Sequence, residues 1–305
     1  MNLSAAAFLI APMNNTYLRL SCMLICACVV LTGHAREKEE EKPIRMVVSS
    51  TTLGVGSSDL LDTYLTPADY RGYNLNLRNE RLQVAARGTA RRINQQYVWG
   101  SYTSNHNRPG NGTMLSGFAG YSWGTLWEFS PEPDLKLMVG PYASGECGFV
   151  YNTRNGNNPA TGKLSLNAGV SVMAAYTFPF ERFSFTLRYQ VSMPVAGMFF
   201  SPQYEQSYYE IFELGNTKGI VHFASFHNQF DLDNYLTADL PIGNLYLRLG
   251  FLSTIRNTHV NDIKNRRISN SFMIGFVKQF YPFSKKRKHT GLTNTDNPVY
   301  PNRRL

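Results

Sequence analysis

Apolar and polar residues alternate strictly along several long segments of the chain. In ERFSFTLRYQVSM, residues 181–193, every second residue from Phe183 to Met193 is apolar, and the residues between them, including Arg188, are polar. Successive side chains point to opposite faces of a pleated strand, so the pattern predicts a strand with one apolar and one polar face. The same alternation recurs in residues 113–129, 163–178, 244–256 and 268–283.

Strand length and number decide which face is inside. The predicted strands exceed the five or six residues typical of globular strands and suit a membrane crossing, which needs about 9–11 residues. We therefore predict an all-β fold, an antiparallel transmembrane β-barrel of about ten strands. Its apolar faces would contact lipid and its polar faces would line the interior. A soluble, secreted β-protein is the alternative fold.

The connectors alternate between short and long along the chain. The short ones are residues 88–91, 130–133, 179–181 and 241–243, and the longer polar ones are 57–70, 104–112, 152–162, 201–229 and 257–265. Outer-membrane barrels have short periplasmic turns and long outer loops, so both termini are predicted on the periplasmic side. Residues 201–229 are long enough to hold a further hairpin, and twelve strands would result if that hairpin joined the wall.

Four segments follow from this pattern. Residues 1–35 contain an apolar run after Arg19 and end in Gly-His-Ala, which predicts a secretory signal peptide. Residues 36–44 form a charged leader, 45–283 the barrel, and 284–305 a basic periplasmic tail. Three of the four cysteines lie in the predicted signal, so no internal disulfide is expected.

The net charge of +9 does not indicate a nucleic-acid partner, because the basic residues are dispersed apart from the tail. The tail is most simply a solvated extension. The alternative is an electrostatic contact with anionic head groups or with an envelope partner. The expected partners of the barrel are outer-membrane lipid and the barrel-assembly machinery.

Charged residues fall on the polar faces of the predicted strands. The residues predicted to line the lumen are Arg78, Glu80, Glu128, Lys136, Arg188, Arg248 and Arg256. They predict either a salt-bridged, filled interior or an anion-attracting pore. A barrel of this size favours the filled interior, because open channels belong to barrels of about 16 strands or more. The aromatic residues predicted in interfacial girdles are Trp99, Trp123, Trp127, Tyr189 and Phe280.

One short motif resembles a nucleophile and its base. Ser225 and His227 are two residues apart, and Asn234 follows as a residue that could orient the imidazole. The alternative is that these polar groups hold the predicted loop hairpin together. His106, His222, His227 and His259 lack metal-ligand spacing, so we predict no metal and no cofactor.

Residues 219–251, with 200–216 before them, resemble a family of signal-bearing outer-membrane barrels from Bacteroides-type bacteria that is classed as a domain of unknown function. The resemblance implies a barrel in the cell outer membrane and brings no assigned activity.

The sequence therefore predicts a Gram-negative outer-membrane barrel. Its function would be that of a structural or surface-interaction protein, or of a narrow, porin-like channel for small solutes. The alternative is a hydrolase that acts on lipid or peptide at the extracellular rim. An enzymatic role stays open, and the residues favour a non-enzymatic one.

Overall fold

Ten strands close into an antiparallel barrel. The computed structural model describes residues 46–86, 91–156, 158–180, 184–280 and 297–300. The wall strands are β1 Val47–Asp62, β2 Thr66–Ala86, β3 Arg91–Asn107, β4 Thr113–Glu132, β5 Leu135–Asn152, β6 Ala160–Pro179, β7 Ser184–Phe200, β9 Gln229–Ile242, β10 Leu245–Val260 and β11 Ile263–Phe280. A helical turn, α1 Tyr208–Phe212, and a short strand, β8 Val221–Ser225, lie between β7 and β9.

The barrel closes between its first and last strands. β1 pairs with β11 from Val47 opposite Phe280 to Asp62 opposite Asn265. Both chain ends of the barrel therefore lie at the same end, which we call the terminal end. The opposite end, where residues 201–220 lie, is the loop end. This closed ring of ten strands confirms the predicted fold class.

The hairpin predicted within residues 201–229 does not form. Its first half contains α1, which begins at a capping box between Ser207 and Glu210. Its second half is β8, which pairs with the loop-end part of β7, while β9 pairs with the rest of β7. Since β8 and β9 occupy one place in the wall in succession, the twelve-strand alternative is wrong.

The wall is interrupted where β8 gives way to β9. Residues 226–232 do not pair with β7. The stretch of β7 opposite them contains Pro194, which has no N–H to donate. On the other side of β7, Gly169 faces Pro194 next to a β-bulge at Ala168. A Cβ on Gly169 would lie 2.3 Å from the carbonyl oxygen of Met193, so the close approach of the two strands requires glycine here.

The apolar faces of the wall strands point outward. Every wall strand exposes at least one large apolar side chain: Val55, Leu77, Val98, Trp123, Val139, Val172, Tyr189, Leu236, Phe251 and Phe276. Soluble monomers rarely expose a continuous apolar surface of this extent. No helix in the described part of the chain has the length and apolarity to cross a membrane.

Trp99 does not join the exterior aromatic residues, so its predicted place in a girdle is wrong. It packs inside the barrel against a cluster that includes Tyr70 and Met114. Tyr97 and Trp99 share the inward parity of β3, and Gly120 of β4 leaves room for the indole ring. A Cβ on Gly120 would lie 2.6 Å from that ring.

Two of the predicted long loops are tight turns between extended strands. Residues 57–70 form the end of β1, a three-residue turn and the start of β2. β10 and β11 are joined by Asn261 and Asp262, whose φ angles are 53° and 60°. Asn and Asp tolerate this left-handed conformation and suit two-residue hairpin turns. The sequence predicted loops here because these strands extend beyond the apolar band and carry polar, turn-forming residues there.

The predicted signal peptide (residues 1–35), the charged leader (36–44) and most of the basic tail lie outside the described residues, so their boundaries stay predictions.

Candidate functional site

All seven charged residues predicted to line the lumen point into the barrel. Their side chains are nearly or partly buried there: Arg78, Glu80, Glu128, Lys136, Arg188, Arg248 and Arg256. With their partners they fill the interior in three levels. These are a central charged layer, a second charged layer towards the loop end, and an apolar ring at the terminal end.

Glu80 is the hub of the central layer. Its carboxylate accepts hydrogen bonds from Arg188 at 2.5 and 2.8 Å, from Arg248 at 3.0 Å and from Gln95 at 2.5 Å. Arg248 also donates two bonds of 2.7 Å to the carboxylate of Asp239. Because these residues come from β2, β3, β7, β9 and β10, the network crosses the lumen from wall to wall.

Asp239 also lines the lumen, although it was not among the residues predicted to do so. It has the same inward parity on β9 as Asp231 and Asp233, so alternation along that strand was the signal that could have identified it. The pairing of Asp239 with Arg248 on the adjacent strand depends on strand register.

The second charged layer lies between the centre and the loop end. Arg256 donates to Asp233 at 2.6 and 3.1 Å, and Arg267 forms a salt bridge with Glu146. The guanidinium of Arg267 also lies over the ring of Phe118, 3.4 Å from its centroid. Each arginine of this second layer therefore lies beside a carboxylate.

The apolar ring at the terminal end encloses part of the C-terminal segment. The ring residues are Val48, Leu82, Ile93, Leu126, Met138, Met173, Ala175 and Val277, and they cluster with Val299 and Tyr300. The Tyr300 hydroxyl donates to Asp239 at 2.8 Å. Its ring stacks on Tyr246 with 4.4 Å between the centroids. Tyr300 thus joins the apolar ring to the central layer.

Basic side chains hold the backbone of this segment. Lys136 Nζ donates to the carbonyl oxygens of Asn297 and Tyr300 at 3.0 and 3.1 Å. Arg91 donates to Asn297 at 2.6 Å and forms a salt bridge of 3.1 Å with Glu128. Residues 297–300 therefore lie inside the barrel, whereas the sequence predicted a tail outside it. A basic, polar tail gives no sign that Val299 and Tyr300 complete an apolar ring.

Residues 201–220 pack against the turns of the loop end. The hydroxyl of Tyr64, in the turn after β1, donates to the carbonyl oxygen of Gln206 at 2.7 Å. Tyr208 meets the ring of Tyr64 edge-on. Burial raises the pKa of Tyr64 to about 12. The helical turn leaves Tyr209 and Phe212 with 64% and 71% of their surface exposed.

The predicted nucleophile–base pair is in contact, but its third member is not. Ser225 Oγ lies 2.5 Å from Nδ1 of His227, at the exposed end of β8. Asn234 instead accepts a hydrogen bond from the hydroxyl of Tyr189 on the outer surface of the wall. Asn228 bonds to the backbone of Ser225 and closes the turn. The described residues thus present a Ser–His pair without a group that orients the imidazole.

The remaining histidines do not converge. His106 contacts Thr113, and His222 contacts Asn261. Among the described residues, no group of three His, Cys, Asp or Glu side chains is placed to hold a metal ion.

Comparisons with known proteins return outer-membrane barrels and one family. Among curated proteins, none matches the sequence. The outer-membrane protease OmpT of Escherichia coli superposes at 10% identity, with 80% of this chain and 100% of that chain covered and a TM-score of 0.45. The transport unit of the autotransporter AIDA-I, also from Escherichia coli, gives 10% identity, 86% and 98% coverage and a TM-score of 0.42.

An outer-membrane channel of Pseudomonas putida F1 gives 8% identity, 81% and 100% coverage and a TM-score of 0.36. The profile of a family described as "Protein of unknown function (DUF3316)" matches residues 22–287.

Proposed function

The chain belongs to the DUF3316 family of unknown function, and we propose that it is an integral outer-membrane barrel with a filled interior, which acts as a structural and surface-interaction protein rather than as an open channel. This agrees with the predicted resemblance to a family of unknown function; an origin in Bacteroides-type bacteria stays a prediction.

The filled interior carries this proposal. The central layer connects opposite walls through Glu80, Arg188 and Arg248. Towards the terminal end, Val299 and Tyr300 of the chain itself complete the apolar ring. A solute would have to disrupt both levels to pass. Barrels of about eight strands are already filled by their own side chains, and ten strands widen the lumen only modestly.

Two features support a membrane location and a role at the surface. Large apolar side chains are exposed around the whole wall, as lipid contact requires. At the loop end, α1 exposes Tyr209 and Phe212, and exposed apolar groups beyond a membrane band are typical of interaction sites.

Electrophoresis and conductance test the proposal together. The detergent-folded protein should migrate faster unboiled than boiled, as a closed and stable barrel does, and should need detergent to stay in solution. In planar lipid bilayers, the same preparation should show no stable conductance steps. Steady steps would favour the narrow channel instead. Solubility in plain buffer without a mobility shift would support the soluble secreted alternative.

The contact between Ser225 and His227 supports a second candidate function, a hydrolase that acts on lipid or peptide at the rim. This candidate predicts that Ser225→Ala abolishes hydrolysis of a labelled phospholipid or peptide, while Ser253→Ala, on the outer surface of β10, leaves it intact. Equal hydrolysis by the two variants, or no hydrolysis by the parent protein, would rule out the hydrolase function.

A further inference from the structure

Arg78 differs from the other buried cations of the described barrel interior. Each of the others donates to a carboxylate or to backbone carbonyls. Arg78 makes no hydrogen bond through its side chain and no ion pair with any described residue, although only 6% of its surface is exposed. Its Nε atom is fully buried without an acceptor. A buried, unpaired charge is strongly disfavoured, so its stabilisation needs an explanation.

Two aromatic rings account for part of that stabilisation. The guanidinium carbon of Arg78 lies 3.9 Å from the ring centroid of Tyr97 and 4.9 Å from that of Tyr235. Cation–π contacts favour a guanidinium over a ring face. They supply no hydrogen-bond acceptor, however, and the edge of the guanidinium stays unpaired.

Glu80 does not supply the missing acceptor. It shares the inward face of β2 with Arg78, but its two oxygen atoms already accept from Arg188, Arg248 and Gln95. Asp239 is engaged by Arg248. Neither carboxylate of the central layer therefore bonds to Arg78, and its charge is balanced only from the second layer, where Glu146, Asp231 and Asp233 outnumber Arg256 and Arg267 by one.

Arg78 lines an internal cavity between the two charged layers. The cavity volume is about 40 Å³, which corresponds to roughly three water molecules on this measure. Asn74 also lines it, and its Nδ2 is a second buried donor without an acceptor. The carboxylates on the cavity wall, Glu146 and Asp233, are paired with Arg267 and Arg256.

We propose that this cavity is a binding site for one small monovalent anion of the halide class, held by Arg78. The one guanidinium without an acceptor, with the Asn74 amide beside it, favours a monovalent ion, and the volume excludes large organic anions. The site lies inside the closed interior and does not depend on a role of the barrel in transport or at the surface.

Trp99 lines the same cavity and provides a direct readout. The other two tryptophans, Trp123 and Trp127, are exposed on the outer wall. In the full chain with Trp123→Phe and Trp127→Phe, iodide should quench the fluorescence of Trp99 in a saturable manner. At constant ionic strength, chloride should relieve this quenching and the larger gluconate ion should not.

Arg78→Gln tests the residue itself. It should abolish saturation or raise the iodide concentration for half-quenching at least about tenfold. Arg71→Gln, on the same strand with 80% of its side chain exposed, should leave quenching unchanged. Linear quenching identical in the parent and Arg78→Gln would overturn the proposal. If Arg78→Gln fails to fold, the test is the competition of chloride and gluconate with iodide in the parent protein. Equal effects of chloride and gluconate would overturn the proposal.

Discussion

At Glu80, one carboxylate is shared by two arginines that come from strands far apart in the sequence. Arg188 and Arg248 both donate to it, and all three side chains are nearly inaccessible to solvent. Such an arrangement is stable only while every charge has its partner, because each buried ion has lost its hydration. The energetic importance of Glu80 therefore depends on the low dielectric surroundings as much as on the hydrogen bonds.

Replacing Glu80 by Gln should destabilise the barrel by about 3–5 kcal/mol, since it leaves Arg188 buried without a counter-charge. The free energy of unfolding can be measured by urea titration in lipid vesicles, with gel mobility reporting the folded fraction. Glu132→Gln, at the exposed end of β4, is the matched control and should change stability by less than about 0.5 kcal/mol. Equal effects of the two variants would show that the central network is not stabilising.

The sequence predicted the direction of individual side chains better than their partners. Alternation placed Arg188 and Arg248 inside because strand parity is a local property. Their common acceptor depends on register and on distance across the lumen. Trp99 shows the limit of residue type as a guide, because tryptophan suits both a membrane interface and an interior cavity.

Among the elements, β7 shows how local residue choice shapes the wall. Pro194 cannot donate a ladder hydrogen bond, and the partner of β7 changes from β8 to β9 beside it. Gly169 on the other side permits the backbones to approach. The interruption of the wall is therefore encoded by a proline and a glycine on neighbouring strands.

Gly169→Ala should destabilise the barrel by about 1–3 kcal/mol, because the added Cβ would collide with backbone atoms of β7 that cannot move independently. Gly156→Ala is the control, since a Cβ at Gly156 would meet no atom within 4 Å. Thermal unfolding followed by the loss of heat-modifiable migration measures both variants. An unchanged midpoint for Gly169→Ala would mean that β6 and β7 can separate at the bulge.

At the scale of the whole molecule, contacts between distant segments occupy both ends of the barrel. Residues 201–220 contact the turns at the loop end. Val299 and Tyr300 enter the apolar ring at the terminal end. The four residues from Asn297 to Tyr300 pair with no strand of the wall, so side-chain contacts hold them in place.

Lys136→Met should loosen this segment while keeping most of the side-chain volume. Lys136 donates to two carbonyl oxygens of the segment, and hydrogen bonds that involve a charged group contribute about 1.5–3 kcal/mol each to stability. The backbone amides of Val299 and Tyr300 should therefore exchange hydrogen for deuterium at least about tenfold faster in the folded variant. In the control Lys264→Met, exposed near the loop end, these amides should exchange at the parental rate. Equal rates for all three proteins would show that Lys136 does not retain the segment.

The sequence by itself determined the all-β class and the faces of the strands, because a period of two residues is a local consequence of the pleated backbone. It left ten or twelve strands open, and the pairing of β8 and β9 with β7 decided for ten. It also placed Arg78, Arg188, Arg248 and Arg256 on the polar faces. Only the tertiary structure decided that β1 pairs with β11, that Glu80 neutralises Arg188 and Arg248, and that Val299 and Tyr300 complete the interior. Those contacts join residues far apart in the chain. They depend on register, closure and burial, which no local pattern specifies.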